Sequence, residues 1–419
     1  MHDRPIAVPC DDSVLQADAF GPPAPVRRSR GYAPMPMPLA TTASPADVLA
    51  VGAELKATLA ITCGDQLVLS GHLGDVGDPL TLDAMALHAD HLLRLHHVTP
   101  TRVACDAHPG YLSARWARAF AAARGLPVVA VQHHHAHLVA LQAEHGRPDT
   151  ERVLAVTFDG TGYGPDGSIW GGEFLIGNAF GARRAARLRP FLLPGGDAAV
   201  RQPARVALAL LHACDLPWAP YLAPVQQFRD AERQLLRTQL ARTLGTVPTS
   251  SMGRLFDACA ALMGGPSTVT YEGQAAIWCT TLAMRAVREH PRPRYRCVVR
   301  AADGRLELDP APMLEALVRD VQVGLAPPLM AWAVHDAIAQ AVVAICGELM
   351  SGDGALPVGL TGGVFQNRLL LGLCHDRLIA AGLAVRTHTQ VPCNDGGLAL
   401  GQAVVARAIN PSFPPSVLP

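Results

Sequence analysis

The order of the secondary-structure signals constrains this chain most. Three short β-rich runs, at residues 48–54, 58–62 and 66–71, are separated by turn-sized gaps, as in a meander. A helical stretch follows at 82–95, and then strand, helix, strand and helix at 102–105, 113–124, 127–131 and 134–145. The second half restarts with strands at 153–158, 169–176 and 186–191, and pauses for a long, mostly helical insertion over about 198–290. It resumes at 331–350, where Val334, Ile338, Ala341, Val342 and Ile345 form one apolar stripe of helical period. Strand 358–360, helix 364–378, strand 383–387 and helix 396–408 close the chain. No residue-level repeat accompanies this order, so the duplication rests on the elements alone. Tandem βββαβα units predict a duplicated α/β protein whose two lobes enclose a cleft.

Length and composition agree. The 419 residues are 49% hydrophobic and 17% charged, enough to bury a core of two lobes. Lys plus Arg equals Asp plus Glu at 35 each, which argues against a nucleic-acid partner held by bulk charge. Met1-His2-Asp3-Arg4 lacks the layout of a signal peptide, and no apolar run is expected to span a bilayer. The ten cysteines never form Cys-x-x-Cys and read as reduced thiols. The expectation is a cytoplasmic protein without a membrane or nucleic-acid partner. Residues 1–45 stand apart. Gly21-Pro22-Pro23-Ala24-Pro25 and Pro34-Met35-Pro36-Met37-Pro38 forbid a helix there and suit extended packing or a linker. This stretch is either an arm on the main body or the tail of another domain. The lobes are expected over 46–150 and 151–419.

Gln132-His133-His134-His135-Ala136-His137 is the densest chemical signal. His133 and His137, four apart, project from one helix face and can share a cation, while the others can cap or hydrogen-bond. Asp159 in Phe158-Asp159-Gly160-Thr161-Gly162 and Asp395 in Asn394-Asp395-Gly396-Gly397 end strands. Each Asp-Gly reads alone as a tight turn, yet in a two-lobed fold both face the cleft. Two histidines with two carboxylates suit iron, zinc or manganese. Gly160-Thr161-Gly162-Tyr163-Gly164 and Thr361-Gly362-Gly363 either offer backbone N–H groups to phosphates or serve tight packing. Asp257 binds ribose or sits on a solvated face, and Glu272 in Tyr271-Glu272-Gly273 is a ligand or a helix cap. Cys105-Asp106-Ala107-His108 is a dyad or a structural turn. Arg28 and Arg30, in the run from Arg27 to Tyr32, hold a phosphate or carboxylate or lie on a basic arm. Of the 35 basic residues, Lys56 alone is lysine, by chance or because a site needs an ammonium.

Taken together these strings resemble the hydrogenase-maturation carbamoyltransferases of the HypF type. The likeness runs from 27–34 through Gly52-Ala53-Glu54-Leu55-Lys56, Asp106-Ala107-His108-Pro109-Gly110-Tyr111 and 132–137. It continues with Trp170-Gly171-Gly172-Glu173-Phe174, Pro194-Gly195-Gly196-Asp197, 253–257, 271–273, 361–367 and Asp395-Gly396-Gly397. The resemblance implies an RNase H-like, actin-like ATPase (ASKHA) fold. It implies that acylphosphatase-like and YrdC-like domains turn carbamoyl phosphate and ATP, with Mg²⁺, into carbamoyl adenylate. The two-lobed domain then passes the carbamoyl group to the C-terminal cysteine of HypE, on the way to the cyanide ligands of a [NiFe] hydrogenase. By similarity His133 and His137 hold a divalent metal, iron or zinc, with Asp395 and Asp159 completing its shell. Gly160, Thr161, Gly162, Asp257, Glu272, Gly273, Gly362, Gly363 and Asn367 would hold the nucleotide. Lys56 would sit near the phosphate or carbamoyl group, and His134 or His135 would assist deprotonation of the thiol. Residues 1–45 would then be a remnant of the YrdC-like domain, with activation supplied by a separate one; a homodimer is allowed. The alternatives are an O-carbamoyltransferase acting on a small-molecule hydroxyl, a tRNA threonylcarbamoyl transferase, and a nucleotide-binding scaffold without turnover.

Overall fold

Val48, Leu49 and Ala50 are wholly buried, and a strand covered on both faces belongs inside a sheet. The computed structural model describes residues 8–18, 21–40, 46–289, 291–409 and 416–418 and places this strand so. The expected boundary near 45 falls on residues outside those described. An N-terminal hairpin, β1 (Val14–Asp18) and β2 (Gly21–Arg27), precedes the first sheet. That sheet holds β3 (Pro36–Pro38), β4 (Val48–Ala50), β5 (Ala60–Cys63), β6 (Gln66–Leu69), β7 (Arg102–Asp106) and β8 (Val128–Val131) in the order β3-β6-β5-β4-β7-β8. Helices α1 (Pro79–Leu95) and α2 (Leu112–Ala122) lead into the parallel strands, and α3 (His133–Glu144) follows them.

The second lobe opens with the meander β9 (Val153–Tyr163), β10 (Ile169–Asn178) and β11 (Gly181–Leu188). Its insertion then runs β12 (Phe191–Pro194), α4 (Asp197–Val200), α5 (Pro203–Ala213), α6 (Ala223–Gln226), α7 (Asp230–Arg242), β13 (Thr246–Thr249), α8 (Met252–Leu262) and α9 (Gln274–Ala286). A hairpin, β14 (Val298–Ala302) and β15 (Arg305–Asp309), and α10 (Ala311–Gln322) extend it beyond residue 290. After α11 (Pro327–Asp353) come β16 (Val358–Thr361), α12 (Arg368–Ala380), β17 (Val385–Thr387) and α13 (Leu398–Ala408). The orders β6-β5-β4-β7-β8 and β11-β10-β9-β16-β17 coincide, each with two antiparallel steps followed by two parallel ones. The duplicated, actin-like two-lobed fold is therefore present, each lobe running one strand and helix beyond βββαβα.

Three local expectations change. The strand expected at 186–191 splits into β11 and β12 around Pro190, which has no N–H for a ladder. The helix expected at 364–378 becomes a 3-10 turn, Gly363–Gln366, and then α12, because the Asn367 side chain caps the Leu370 N–H. Contrary to the reading that no apolar run reaches bilayer length, α11 is long and apolar enough by length and composition. It packs against α8, α9, α10 and α12, and 78% of its most apolar window is buried inside the protein.

Chain order and packing diverge at the last helix. α13 lies on β4, β5, β7 and β8 of the first sheet, whereas α3 lies on β9, β10 and β16 of the second. Each lobe's final helix thus completes the other's core, so the division at residue 150 does not describe packing. The two helices meet at Gly401, where a Cβ would lie 1.9 Å from the Ala136 carbonyl oxygen; only glycine permits that approach. Next to it Gln402 clamps the Gly52 backbone, accepting from its N–H at 2.9 Å and donating to its C=O at 3.0 Å.

The proline-rich segment is an arm that bridges both lobes. β3 joins the edge of the first sheet, where a proline's missing donor costs little. The β1–β2 hairpin is held from the second lobe: Arg368 donates to Asp18 and to the Pro22 carbonyl, and Asn394 donates to the Val26 carbonyl.

Candidate metal and nucleotide site

α3 begins two residues after β8 ends, with the Gln132 side chain accepting from the His135 N–H at 2.9 Å. Helical spacing points the Nε2 atoms of His133 and His137 the same way, toward Asp159 and Asp395. His133 Nε2 lies 3.0 Å from Asp159 Oδ2 and 3.6 Å from Asp395 Oδ1, and His137 Nε2 lies 3.6 and 3.7 Å from the same atoms. The four ligand atoms fall within 4.8 Å of one another. β9 runs through Asp159-Gly160 to Tyr163, so the tight-turn reading of that pair is set aside. Asp395 does open a turn, the 3-10 segment Asp395–Gly397, capped by Asn394.

Sequence reasoning missed the residues that hold these ligands. Asp106 Oδ2 meets His133 Nδ1 at 2.8 Å and its other oxygen accepts from the His108 N–H, so the structural turn also orients the ring. In the parallel register Asp106 stands beside Val131, two residues before His133, and that pairing would have flagged it. Glu144, at the far end of α3, accepts from His388 and from the backbone N–H groups of Thr389 and Gln390. His388 bonds Thr361 Oγ1 at 2.8 Å, so one buried chain ties α3 and β16 to the loop leading to Asp395.

The donor set fits a cation. Burial disfavours charge on every member, yet the His133 pKa is raised well above its ordinary value by Asp395 and Asp106. Asp159 is held well below the usual carboxylate range by the His133 hydrogen bond and the nearby His137 ring, and Asp395 is lowered chiefly by His133. Positive charge is what this cluster selects. His137 Nε2 is buried without a hydrogen-bond partner among the described residues. A cation bound at about 2.0–2.2 Å to four ligands sets them roughly 3.4 Å apart, close to the spacing already present.

Asp159 also lines a cleft of about 510 Å³. Its polar wall carries Lys56, Gly160, Arg254, Asp257, Glu272, Gly273, Gly363 and Asn367, and its apolar side Phe256, Ala276, Ile277, Met284 and Val364. Gln16 and Val26 of the arm also line it. Size and lining suit a nucleotide. Lys56, from the first lobe, pairs with Glu272 of the second. Burial alone would lower its pKa, but Asp395, Glu272 and Asp159 leave it raised. Asn367 donates to His335 at 2.8 Å. Asp257 pairs with Arg254 at 2.8 Å, so that oxygen is engaged by the protein itself. Gly160 and Gly363 donate their N–H groups to Asp159 Oδ1, at 2.8 and 3.3 Å, which orients the carboxylate and leaves phosphate to other donors.

Several expected residues lie elsewhere. Gly162 makes room for His134, whose Cε1 would stand 2.4 Å from an added Cβ. Gly362, at φ +99°, lets the turn press on the Phe158 carbonyl, 2.3 Å from such a Cβ. Thr161 is exposed and off the cleft wall. His135 bonds the Asn178 carbonyl, and burial lowers its pKa to about 4, so it is a neutral core residue. His134 is wholly buried, held near Gln132 Nε2, and also kept neutral by burial; neither ring lines the cleft. Arg28 donates to the Leu69 and Tyr32 carbonyls, and Arg30 pairs with Asp12 on the surface. These two arginines hold the arm in place.

Comparison with known proteins adds relatives to this geometry. Residues 43–144 match the family model "HypF Kae1-like domain", and 155–402 match "Carbamoyltransferase, Kae1-like Domain, second subdomain". The chain is 40% identical to the carbamoyltransferase HypF of Rhodobacter capsulatus, covering 97% of this chain and 53% of that one. It is 37% identical to a carbamoyltransferase HypF homolog of Cupriavidus necator, covering 86% of this chain and 91% of that one. Among solved structures, a full-length HypF in a phosphate- and nucleotide-bound form superposes with a TM-score of 0.88 at 34% identity, over 97% of this chain and 62% of that one. The chain spans about half the length of the longer curated relatives it matches. With both Kae1-like subdomains matched in order and the fold shared, this chain belongs to the HypF carbamoyltransferase family.

Proposed function

We propose that this chain carries out carbamoyl transfer in hydrogenase maturation. The carbamoyl group of carbamoyl adenylate, made from carbamoyl phosphate and ATP, passes to the C-terminal cysteine thiol of a HypE-type protein for the cyanide ligands of a [NiFe] hydrogenase. The observation that carries this reading is the His133–His137–Asp159–Asp395 cluster, joined through Asp159 to the wall of a nucleotide-sized cleft, in a chain of this family.

A divalent cation, iron or zinc, held by those four residues would supply Lewis acidity to a bound carbonyl or phosphoryl oxygen. The rest falls to the chain. Asp106 fixes the His133 ring, and Glu144 fixes the loop leading to Asp395. Lys56 offsets charge on the departing AMP when Glu272 releases it. The acceptor sulfur, once deprotonated, forms the C–S bond as the carbamoyl C–O bond to phosphate breaks, and AMP leaves with that electron pair.

The test is intact-mass spectrometry of the acceptor after incubation with this protein, ATP, Mg²⁺ and carbamoyl phosphate, with and without a separate YrdC-like domain. A carbamoyl adduct that needs the added domain is expected. An adduct in both tubes would assign activation to this chain as well. No adduct in either would overturn the proposal in favour of a nucleotide-binding scaffold.

A further inference from the structure

Arg254 is, with Lys56, one of the two basic residues that line the cleft. It lies on the first turn of α8 and is 4% exposed. Ser251 stitches that turn to β9: its hydroxyl donates to the Gly160 carbonyl at 2.6 Å and accepts from the Arg254 N–H at 3.1 Å. Gly253 closes the seam, since a Cβ there would sit 2.9 Å from Gly160 Cα. The guanidinium is thereby fixed beside Gly160, the residue after the ligand Asp159; a Cβ at Gly160 would have Arg254 Nη2 as its nearest neighbour, at 3.9 Å.

Asp257 holds that same Nη2 at 2.8 Å. The Asp257 carboxylate also takes a backbone hydrogen bond from Ala276, so two protein donors compete with any ribose hydroxyl. Arg254 Nε is buried and has no acceptor among the described residues. A buried cation short of acceptors is costly, and Arg254 lines the cleft, so an anion bound there would add a partner to the guanidinium. Lys56, the other cation of the wall, is already engaged by Glu272.

We infer that Arg254 recognises the phosphate of a nucleotide bound in this cleft, and that Asp257 positions the guanidinium instead of binding ribose. A planar fork held by one carboxylate presents its remaining N–H groups in a fixed direction, which suits a phosphoryl group better than a mobile ammonium does. The inference rests on the nucleotide reading of the cleft given above.

Calorimetric titration of the whole protein, metal-loaded, with ATP, AMP and adenosine tests it. Arg254→Lys keeps the charge opposite Asp257 and loses the fork, and thermal melting checks that the variant is folded. It should weaken ATP and AMP by about tenfold or more and leave adenosine within about twofold. Asp257→Asn should give the same pattern. An adenosine loss equal to the ATP loss would make Arg254 merely structural and overturn the inference alone. So would a loss in Asp257→Asn that appears with adenosine and vanishes with 2′,3′-dideoxyadenosine, the signature of ribose binding. Wild-type protein that binds none of the three would overturn the nucleotide reading itself, and the inference with it.

Discussion

In the first lobe the chain passes from the third meander strand to the first parallel strand through one helix, α1; the matching step in the second lobe takes in everything from Phe191 to Asp353. The strand frames are otherwise the same. The candidate metal ligands come from that shared frame: α3, the strand β9 and the turn before α13. Most of the nucleotide wall comes from what the second lobe added, chiefly α8 and α9. A duplicated scaffold thus supplies the cation site, and an insertion in one copy supplies most of the pocket that shares Asp159 with it.

Separating those contributions is the sharpest way to test the comparison. His133→Ala should abolish metal binding, measured as metal per chain by elemental analysis, and carbamoyl transfer with it. Ala276→Phe, which fills the insertion's side of the cleft, should weaken ATP by more than about tenfold while the metal content stays at the wild-type value. Metal lost in both variants would show that the two sites are one unit.

Next in size is Gly401→Ala. A Cβ at the helix crossing has nowhere to go, and the cost should reach about 1–3 kcal/mol or more. Because α3 and α13 are exchanged, calorimetry should show both lobes shifting down together in one transition. Two separate transitions would break the picture of mutually completed cores.

Asp106→Asn should reduce metal affinity by about 10–100-fold in chelator competition, with little change in nucleotide affinity. An unchanged metal affinity would mean the His133 ring needs no orienting partner.

The smallest effect concerns acid. Burial would raise the Glu144 pKa, but His388 and the backbone N–H groups of Gln390 and Thr389 leave it below its ordinary value. A depressed folded pKa contributes stability that is complete above the unfolded pKa of about 4.5 and is lost as pH falls through the folded value. Melting temperature should therefore drop more steeply below about pH 4.5 in wild type than in Glu144→Gln, which starts lower at neutral pH and declines less. Parallel curves would remove Glu144 from the acid response.

Much of this was legible in the residues, for identifiable reasons. Strand order shows in short runs of branched residues, and His133 with His137 shows because helical spacing is local. Asp106 could not be read in the same way, because its partner is 27 positions away and only the parallel register brings them together. Arg28 misled because a run of arginines beside prolines looks like an anion site, and nothing local reveals that the Leu69 and Tyr32 carbonyls take its donors. Gly162 and Gly362 misled similarly: a glycine that admits a phosphate and one that admits a histidine or a carbonyl look the same in a sequence. In α11, length and apolar character set a limit on burial without saying whether lipid or protein provides it.

The exchange of final helices also sets the order in which the molecule can be assembled. All six strands of the first sheet are complete once Val131 has been made, yet the helix that covers one of its faces is α13, and the Gly52–Gln402 clamp spans 350 residues. Until that segment leaves the ribosome, Val48, Ala50, Ala104, Val129 and Val131 lack the apolar partners that α13 brings to their cluster. Between the synthesis of Val131 and that of α13 the first sheet is therefore sticky and half-roofed, a state that favours chaperone capture and penalises any pause before α13.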